Sequence, residues 1–413
     1  MKPTKSALKS VGIFCICLVT LLFVFRLSEG MAEDKVVISL IEDLSGAWAV
    51  EGGVWGRGIA MAVEDVGGKV LGKPVEVVTR DDELKPDVAV RKFREVVEQY
   101  HPVVVISGSM SAVQLAMQQV AAETKTLFWT GGWADDLTRA GTVNRYTFRW
   151  TANDYAKANS SIPFFIEKNP KVKTFYHITS DYVWGRGMFD AGKQVIEKMG
   201  GKVVGNILTP LAEVDYSGAV TAALSANADA VVLNQYGNPL VKCARTVHEF
   251  GLKNKSKILL PGCSLDLIRG IGAEALEGMF AGQDWYHTVD NKFSREFVSR
   301  YVKKYKESPS YVVMIAYMSA KLTLDAIKRT GSTDPNKVIC ALEGYKYEGP
   351  TGPETIQGFD HQVNKKWLLG VGKSPKEMKD PDDFLTIIGG LARFETHQEN
   401  PVVWNLTLPC DKK

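Results

Sequence analysis

Hydroxyl and ring side chains gather in short polar loops along this chain, and the chemistry they offer is grip rather than reaction. The loops are Asp43-Leu44-Ser45-Gly46-Ala47-Trp48 with Glu51 just beyond, Ser107-Gly108-Ser109-Met110-Ser111, and Gly131-Gly132-Trp133. Further on come Ser180-Asp181-Tyr182-Val183-Trp184, Gln235-Tyr236-Gly237 and Gly262-Cys263-Ser264. Serine hydroxyls and free N–H groups at helix starts suit a carboxylate. Trp48, Trp133, Tyr182, Trp184 and Tyr236 offer apolar and π walls. One such residue alone is as well explained by a helix cap or a filled loop. The set, recurring after one strand-like run after another, predicts a ligand cleft.

Catalytic patterns fail one by one. Gly67-Gly68-Lys69-Val70-Leu71-Gly72-Lys73-Pro74 nearly fits the phosphate loop G-x-x-x-x-G-K-S/T. Pro74 has neither the hydroxyl nor the N–H, and the run leaves a helix to enter a strand instead of the reverse. A helix-to-strand turn is the better reading. Gly53, Gly56 and Gly58 are spaced wrongly for a dinucleotide fingerprint. There is no G-x-S-x-G elbow, and His248-Glu249 lacks a second histidine four residues on. The six histidines are scattered, and no cysteine pair has close ligand spacing. The expectation is no enzyme, no metal and no cofactor.

Alternating strands and helices must position these loops. Strand-like runs are Val36–Ile41, Val75–Thr79, Val103–Ile106 and Leu127–Thr130, with helical spacing over Ile59–Val66, Val88–Glu98 and Ala112–Glu123. The pattern restarts near Ser160: strands at Phe175–Ile178, Val203–Leu208, Ala230–Asn234 and Ile258–Leu260 enclose helices at Phe189–Met199, Gly218–Ala226 and Pro239–Phe250. This predicts an α/β fold of two doubly wound parallel-sheet lobes. The word Val-Trp-Gly-Arg-Gly stands at Val54–Gly58 and again at Val183–Gly187, each followed by Gly-Gly-Lys-Val, as though one strand–loop–helix–turn–strand unit were used twice. Helices are expected at Ser294–Tyr305, Ile315–Arg329 and Pro335–Leu342, and a strand at Trp367–Val371. No low-complexity linker separates the lobes, so the chain crosses between them more than once through a multi-crossover hinge.

The first 32 residues read as a cleavable signal peptide: Lys2, Lys5 and Lys9, an apolar run from Val11 to Phe25, then Gly30-Met31-Ala32. The run is shorter than the roughly 20 apolar residues of a spanning helix. This segment holds four basic residues and one acid, so the remainder carries 46 of each and no net charge. That removes the electrostatic case for nucleic acid. Export permits disulfides among Cys243, Cys263, Cys340 and Cys410. Three pairings are open, and we favour Cys243 with Cys263 and Cys340 with Cys410.

The words Asp43-Leu44-Ser45-Gly46, Gly72-Lys73-Pro74, Arg80-Asp81-Asp82, Ser109-Met110-Ser111, Asp136-Leu137-Thr138, Phe148-Arg149, Asp181-Tyr182-Val183-Trp184-Gly185 and Glu277-Gly278 occur in this order. Over essentially the whole mature chain, the sequence resembles the leucine/isoleucine/valine-binding solute-binding proteins of ATP-driven importers. The resemblance implies the type I periplasmic binding protein fold, with three crossovers between lobes that close on a solute. It places a ligand carboxylate at Ser109 or Ser111 and the loop Gly131–Trp133, and aromatic contacts at Trp184 and Tyr236. Departures are equally specific. Where the family carries a glutamate for the ligand ammonium, this chain reads Leu260-Pro261-Gly262-Cys263-Ser264, with Asp266 the nearest acid. The family's first-loop tyrosine is displaced by Glu51, with Trp48 near, and Trp133 replaces a small hydroxyl residue.

The expected ligand-binding set is therefore Trp48, Glu51, Ser109, Ser111, Gly131, Trp133, Tyr182, Trp184, Tyr236 and Asp266. Expected lobes are 33–154 with about 286–357, and 155–285 with about 358–413. The expected protein is a periplasmic monomer that binds a small amino acid, amide or aromatic carboxylate and delivers it to a membrane permease. A sensory ligand-binding domain on the same scaffold is the alternative, and an α/β enzyme a weaker one.

Overall fold

The computed structural model describes residues 35–139, 142–212 and 215–391, together with Cys410. The expected signal segment and most of the C-terminal tail lie outside the described residues. No helix among the described residues is long and apolar enough to cross a membrane.

Short β-branched runs make the strands, and they sort into two main sheets. The first contains β1 (Val36–Glu42), β2 (Lys69–Val70), β3 (Lys73–Asp81), β4 (Val104–Ser107), β5 (Phe128–Thr130) and β6 (Thr147–Arg149), in the order β2-β3-β1-β4-β5-β6. The second contains β7 (Thr174–Ser180), β8 (Lys202–Thr209), β9 (Ala230–Asn234), β10 (Lys257–Leu260) and β11 (Phe280–Gln283), joined by β15 (Trp367–Gly372) and β16 (Leu385–Leu391). Its order is β16-β15-β11-β10-β9-β7-β8. Between β11 and β15 in sequence, β12 (Lys346–Gly349), β13 (Gly352–Ile356) and β14 (Val363–Asn364) form a small antiparallel sheet. Fully buried central strands such as β1, β4 and β9 are mostly apolar along their length, without in–out alternation, because helices cover both faces.

The parallel expectation needs three corrections. β2 folds back on β3, and β15 and β16 add antiparallel at the edge of the second sheet. Antiparallel edges need no crossover helix, so they leave no alternating strand–helix signature.

The repeated five-residue word is not a repeated loop. In the first lobe it lies inside the helix Ala49–Asp65; in the second it opens the helix Val183–Lys198. The first helix carries glycines that weaken it in isolation. Burial of Trp55, Ile59, Met61 and Ala62 overrides that weakness, and the helix packs along Tyr311–Thr330. The two copies hold non-equivalent positions, although each lobe does run strand, helix, turn, strand.

The Cys340–Cys410 disulfide is formed, while Cys243 and Cys263 are free and buried. The expected Cys340–Cys410 pairing is present, and the expected Cys243–Cys263 pairing is not. Cys243 faces the core from the helix Asn238–Glu249, whereas Cys263 sits in the loop after β10. Burial pushes both thiols up, Cys263 with a push from Glu51 as well.

Three stretches connecting the two sheets meet in one buried knot. Ala152 N–H donates to Asp284 Oδ1 at 3.0 Å, and Thr151 Oγ1 donates to Asp284 Oδ2. Lys365 Nζ lies 2.9 Å from Asp284 Oδ1 and donates to the Asp284 carbonyl at 2.8 Å. Gln362 Nε2 donates to the Thr151 carbonyl at 2.7 Å.

Candidate functional site

Loops at the carboxyl ends of both sheets face each other across one narrow cleft, partly open to solvent. Local hydrogen bonding fixes each loop. After β1, Asp43 accepts from Gly46 N–H at 2.5 Å and from Trp48 N–H at 2.8 Å. This tight turn makes Trp48 the N-cap of the helix Ala49–Asp65, and Glu51 falls in its first turn. Trp55 follows Glu51 at i+4, so both side chains share the buried face.

After β4, Gly108 N–H donates to Glu42 Oε2 at 2.5 Å. The Trp55 ring lies so close to Gly108 that a Cβ there would stand 1.6 Å from the indole. Ser111 opens the helix Ser111–Thr124, whose first turn has no side-chain cap. Its hydroxyl oxygen accepts from Ala134 N–H at 3.3 Å and keeps its own hydrogen to donate.

The loop after β5 is held from below by Arg149. Its buried guanidinium donates to the carbonyls of Gly132 (3.2 Å) and Ala134 (2.7 Å), to Gln362 Oε1 (2.6 Å) and to Thr138 Oγ1. Burial pushes this group down to about 10, against the pull of Asp135, Asp154, Asp360 and Asp284. Beneath Trp133, Lys157 is fully buried, and its Nζ lies 2.9 Å from the centre of the indole ring. That ammonium has no hydrogen-bond partner among the described residues. Burial holds it well below the usual lysine range, with Asp284 and Asp154 acting the other way.

From the second lobe come Tyr182 and Trp184 after β7, and Tyr236 after β9. Gly237 has φ +66°, and a Cβ there would stand 2.4 Å from Trp48 Nε1, so the backbone approaches that indole as only glycine allows. Tyr236 Oη donates to Glu51 Oε1 at 2.7 Å across the cleft and pairs with Tyr311 Oη at 3.2 Å. Desolvation raises the Glu51 carboxyl to about 8; Asp266 raises it further, and the hydroxyls of Ser264 and Tyr236 pull it down.

The rings form a corner-built box. Trp133 stands against Tyr236 at 4.4 Å between centroids and 70° between planes, and against Trp184 at 5.4 Å and 61°. Trp48 meets Tyr236 at 5.3 Å and 76°. Trp48 Nε1 is buried without a hydrogen-bond partner among the described residues.

Nine of the ten residues expected from sequence line this cleft: Trp48, Glu51, Ser109, Ser111, Gly131, Trp133, Tyr182, Trp184 and Tyr236. Asp266 does not line it; its carboxylate pairs with Arg269 at 3.0 Å, and it reaches the cleft only through its field on Glu51. The lining also includes Glu42, Trp55, Gly108, Gly132, Tyr311, Val312 and Ile315. The i+4 spacing from Glu51 points to Trp55. Nothing local pointed to Tyr311, which comes from a helix far along the chain.

The periplasmic binding protein family profile matches residues 35–376. This chain belongs to the periplasmic binding proteins. It is 25% identical over 342 residues to the leucine-, isoleucine-, valine-, threonine- and alanine-binding protein of Pseudomonas aeruginosa, covering 82% of this chain and 89% of that one. An amino acid ABC transporter substrate-binding protein from Pseudomonas fluorescens Pf-5 superposes with a TM-score of 0.85 at 32% identity, over 90% of this chain and 99% of that one. A solute-binding protein of an ABC transporter from Rhodopseudomonas palustris BisB5, solved with 3,4-dihydroxybenzoic acid, superposes with a TM-score of 0.78 at 25% identity, over 88% and 98%. This periplasmic binding protein thus has relatives whose names span amino acids and an aromatic acid, and its two-lobed α/β architecture is theirs.

Proposed function

We propose that this periplasmic binding protein captures a small carboxylate-bearing solute and hands it to the permease of an ATP-driven importer, acting as an exported monomer. The lobes are 33–154 with about 286–357, and 155–285 with about 358–413. They hinge where the chain crosses between the sheets. One observation carries the reading: hydroxyls and an uncapped helix start from one lobe face rings from the other within a single cleft. A carboxylate there meets the hydroxyl hydrogens of Ser109 and Ser111, the first-turn N–H groups and the dipole of the helix Ser111–Thr124. Closure expels water, so a solute that leaves these donors unmatched is rejected by the cost of burying them. The lining has no histidine to activate its serine hydroxyls, and the proposed chemistry is binding alone.

Calorimetry and thermal shift against leucine, alanine, benzoate, 3,4-dihydroxybenzoate and small betaines test this reading. A cognate acid raises the melting temperature with concentration. Ser111→Ala lowers the affinity for that acid about tenfold, the scale of one lost hydrogen bond to a charged group. Turnover of any of these compounds, or full affinity in Ser111→Ala, refutes the proposal.

A further inference from the structure

A closer look at the cleft separates the ligands it suits. Seven aromatic residues line it, four tryptophans and three tyrosines, together with Glu42 and Glu51. No lysine, arginine or histidine is among the lining residues; Lys157 lies behind Trp133 and outside the lining. The carboxyl of Glu42 is engaged by Gly108 N–H. That of Glu51 meets Tyr236, Ser264 and the like-charged Asp266, and no cation. A cationic group entering here gives this buried acid a partner and favours release of the proton that burial holds on it.

Ring geometry adds an independent constraint. A flat aromatic acid wants a slot between parallel faces. Here the rings of Trp48, Trp133, Trp184 and Tyr236 stand at 61–76° to one another, so they wall a corner and present faces and edges from several directions. The contacts are edge to face at 4.4–6.1 Å between centroids, so each pair leaves ring faces that its partner does not cover, and such a face attracts a cation through its quadrupole. A primary ammonium also needs up to three acceptors. Of these, Glu51 Oε1 already accepts from Tyr236, and Tyr236 Oη is shared between Glu51 and Tyr311. A nitrogen without N–H groups asks for faces and a nearby negative charge, and nothing more.

We propose that the ring box receives a methylated ammonium group, carried on the same small molecule whose carboxylate meets Ser109 and Ser111, so that the solute is a betaine-type zwitterion. This rests on the solute-binding reading above and narrows its ligand. Glu51 becomes the charge partner by releasing to solvent the proton it holds in the empty cleft, while Trp184 and Tyr236 form the wall from the second lobe and Trp48 and Trp133 the wall from the first.

The test compares glycine betaine with 3,3-dimethylbutanoate, its uncharged-head isostere of the same shape, using the full mature chain and isothermal calorimetry. Glycine, leucine and benzoate are run alongside. The proposal expects glycine betaine or a bulkier betaine such as proline betaine or carnitine to bind. For the betaine head it expects at least tenfold tighter binding than for the isostere, and at least tenfold tighter than for glycine. Trp184→Ala should cost tenfold or more in betaine affinity, and Trp184→Phe, which keeps a ring and the fold, a smaller part of that. Tryptophan fluorescence should respond to the betaine. Equal or tighter binding of the isostere overturns the cation box. Binding of leucine or benzoate without any betaine overturns it too, while leaving the solute-binding reading intact. No binding by any of these solutes defeats both.

Discussion

Glu51 shows most clearly how one side chain sets the character of this cleft. It is an acid in the first turn of a helix, with its carboxyl desolvated among rings and raised to about 8. The groups facing it are Tyr236 and Tyr311, Ser264 and Cys263, and the carboxylate of Asp266. An acid raised on folding is protonated in the folded state while already ionised in the unfolded one. Between about 4.5 and 8 the folded protein therefore holds the extra proton, and the contribution of this group to stability falls as pH rises through that window. Glu51→Gln removes the penalty. Ligand-free Glu51→Gln should match the parent near pH 4.5 and exceed it at pH 8 by about 4 kcal/mol. Urea unfolding at the two pH values measures this, and an unchanged difference would show that Glu51 ionises freely. Glu51, Trp48 and Tyr236 were readable from sequence because each follows a strand end within a few residues. Asp266 misled because proximity in sequence to a strand end says nothing about a partner such as Arg269, three residues on and ready to pair on a helix face.

Strand-end loops are the elements that turn sequence into a site, and their shape is enforced by close packing. The Trp55 ring fills the space over Gly108, where a Cβ would fall 1.6 Å from an indole carbon. Gly108→Ala forces the ring or the loop aside. Overpacking of this kind costs about 1–3 kcal/mol, and here it also moves the Ser109–Ser111 donors. The expected outcome is a lower melting temperature and altered near-ultraviolet dichroism, with solute affinity reduced more than in Ser111→Ala. Adding Trp55→Leu to Gly108→Ala should recover much of the stability but not the affinity. A Gly108→Ala protein with parental stability would mean the contact is loose. The alternating core elements were legible because buried parallel strands and amphipathic helices repeat with fixed periods. The strands β2, β6, β11, β12 to β14 and β16 were not: all but β16 run to five residues or fewer, and short edge and hairpin strands such as Lys69–Val70 or Lys346–Gly349 carry polar residues and no period. The Arg149 anchor was quoted as a sequence word, yet its task is visible only once Gly132, Ala134, Thr138 and Gln362 converge on it.

At the scale of the whole molecule, closing two lobes requires connections that bend together, and the charge knot at Asp284 ties all three. Ala152, Thr151 and Lys365 each bond to it, and the Lys365–Asp284 pair is completely buried. A buried pair of this kind adds little over an apolar replacement of both partners, but loss of one partner strands a charge and costs about 3–5 kcal/mol. Lys365→Met should therefore destabilise the protein by that amount. Asp284→Asn in the same chain should restore a large part of it, because the asparagine can still accept from Ala152 N–H. The same pair of variants separates stability from hinge geometry. If the knot also aligns the lobes, the double variant refolds yet gives a different radius of gyration by solution scattering and a weaker response to solute. Its envelope matches the parent, with full affinity, only if lobe alignment is set by the cleft contacts themselves, the Glu51–Tyr236 bond and the Trp133–Trp184 packing. Additive losses in the two single variants and the double would instead show that Lys365 and Asp284 act independently, and the knot would be three separate bonds rather than one coupled hinge.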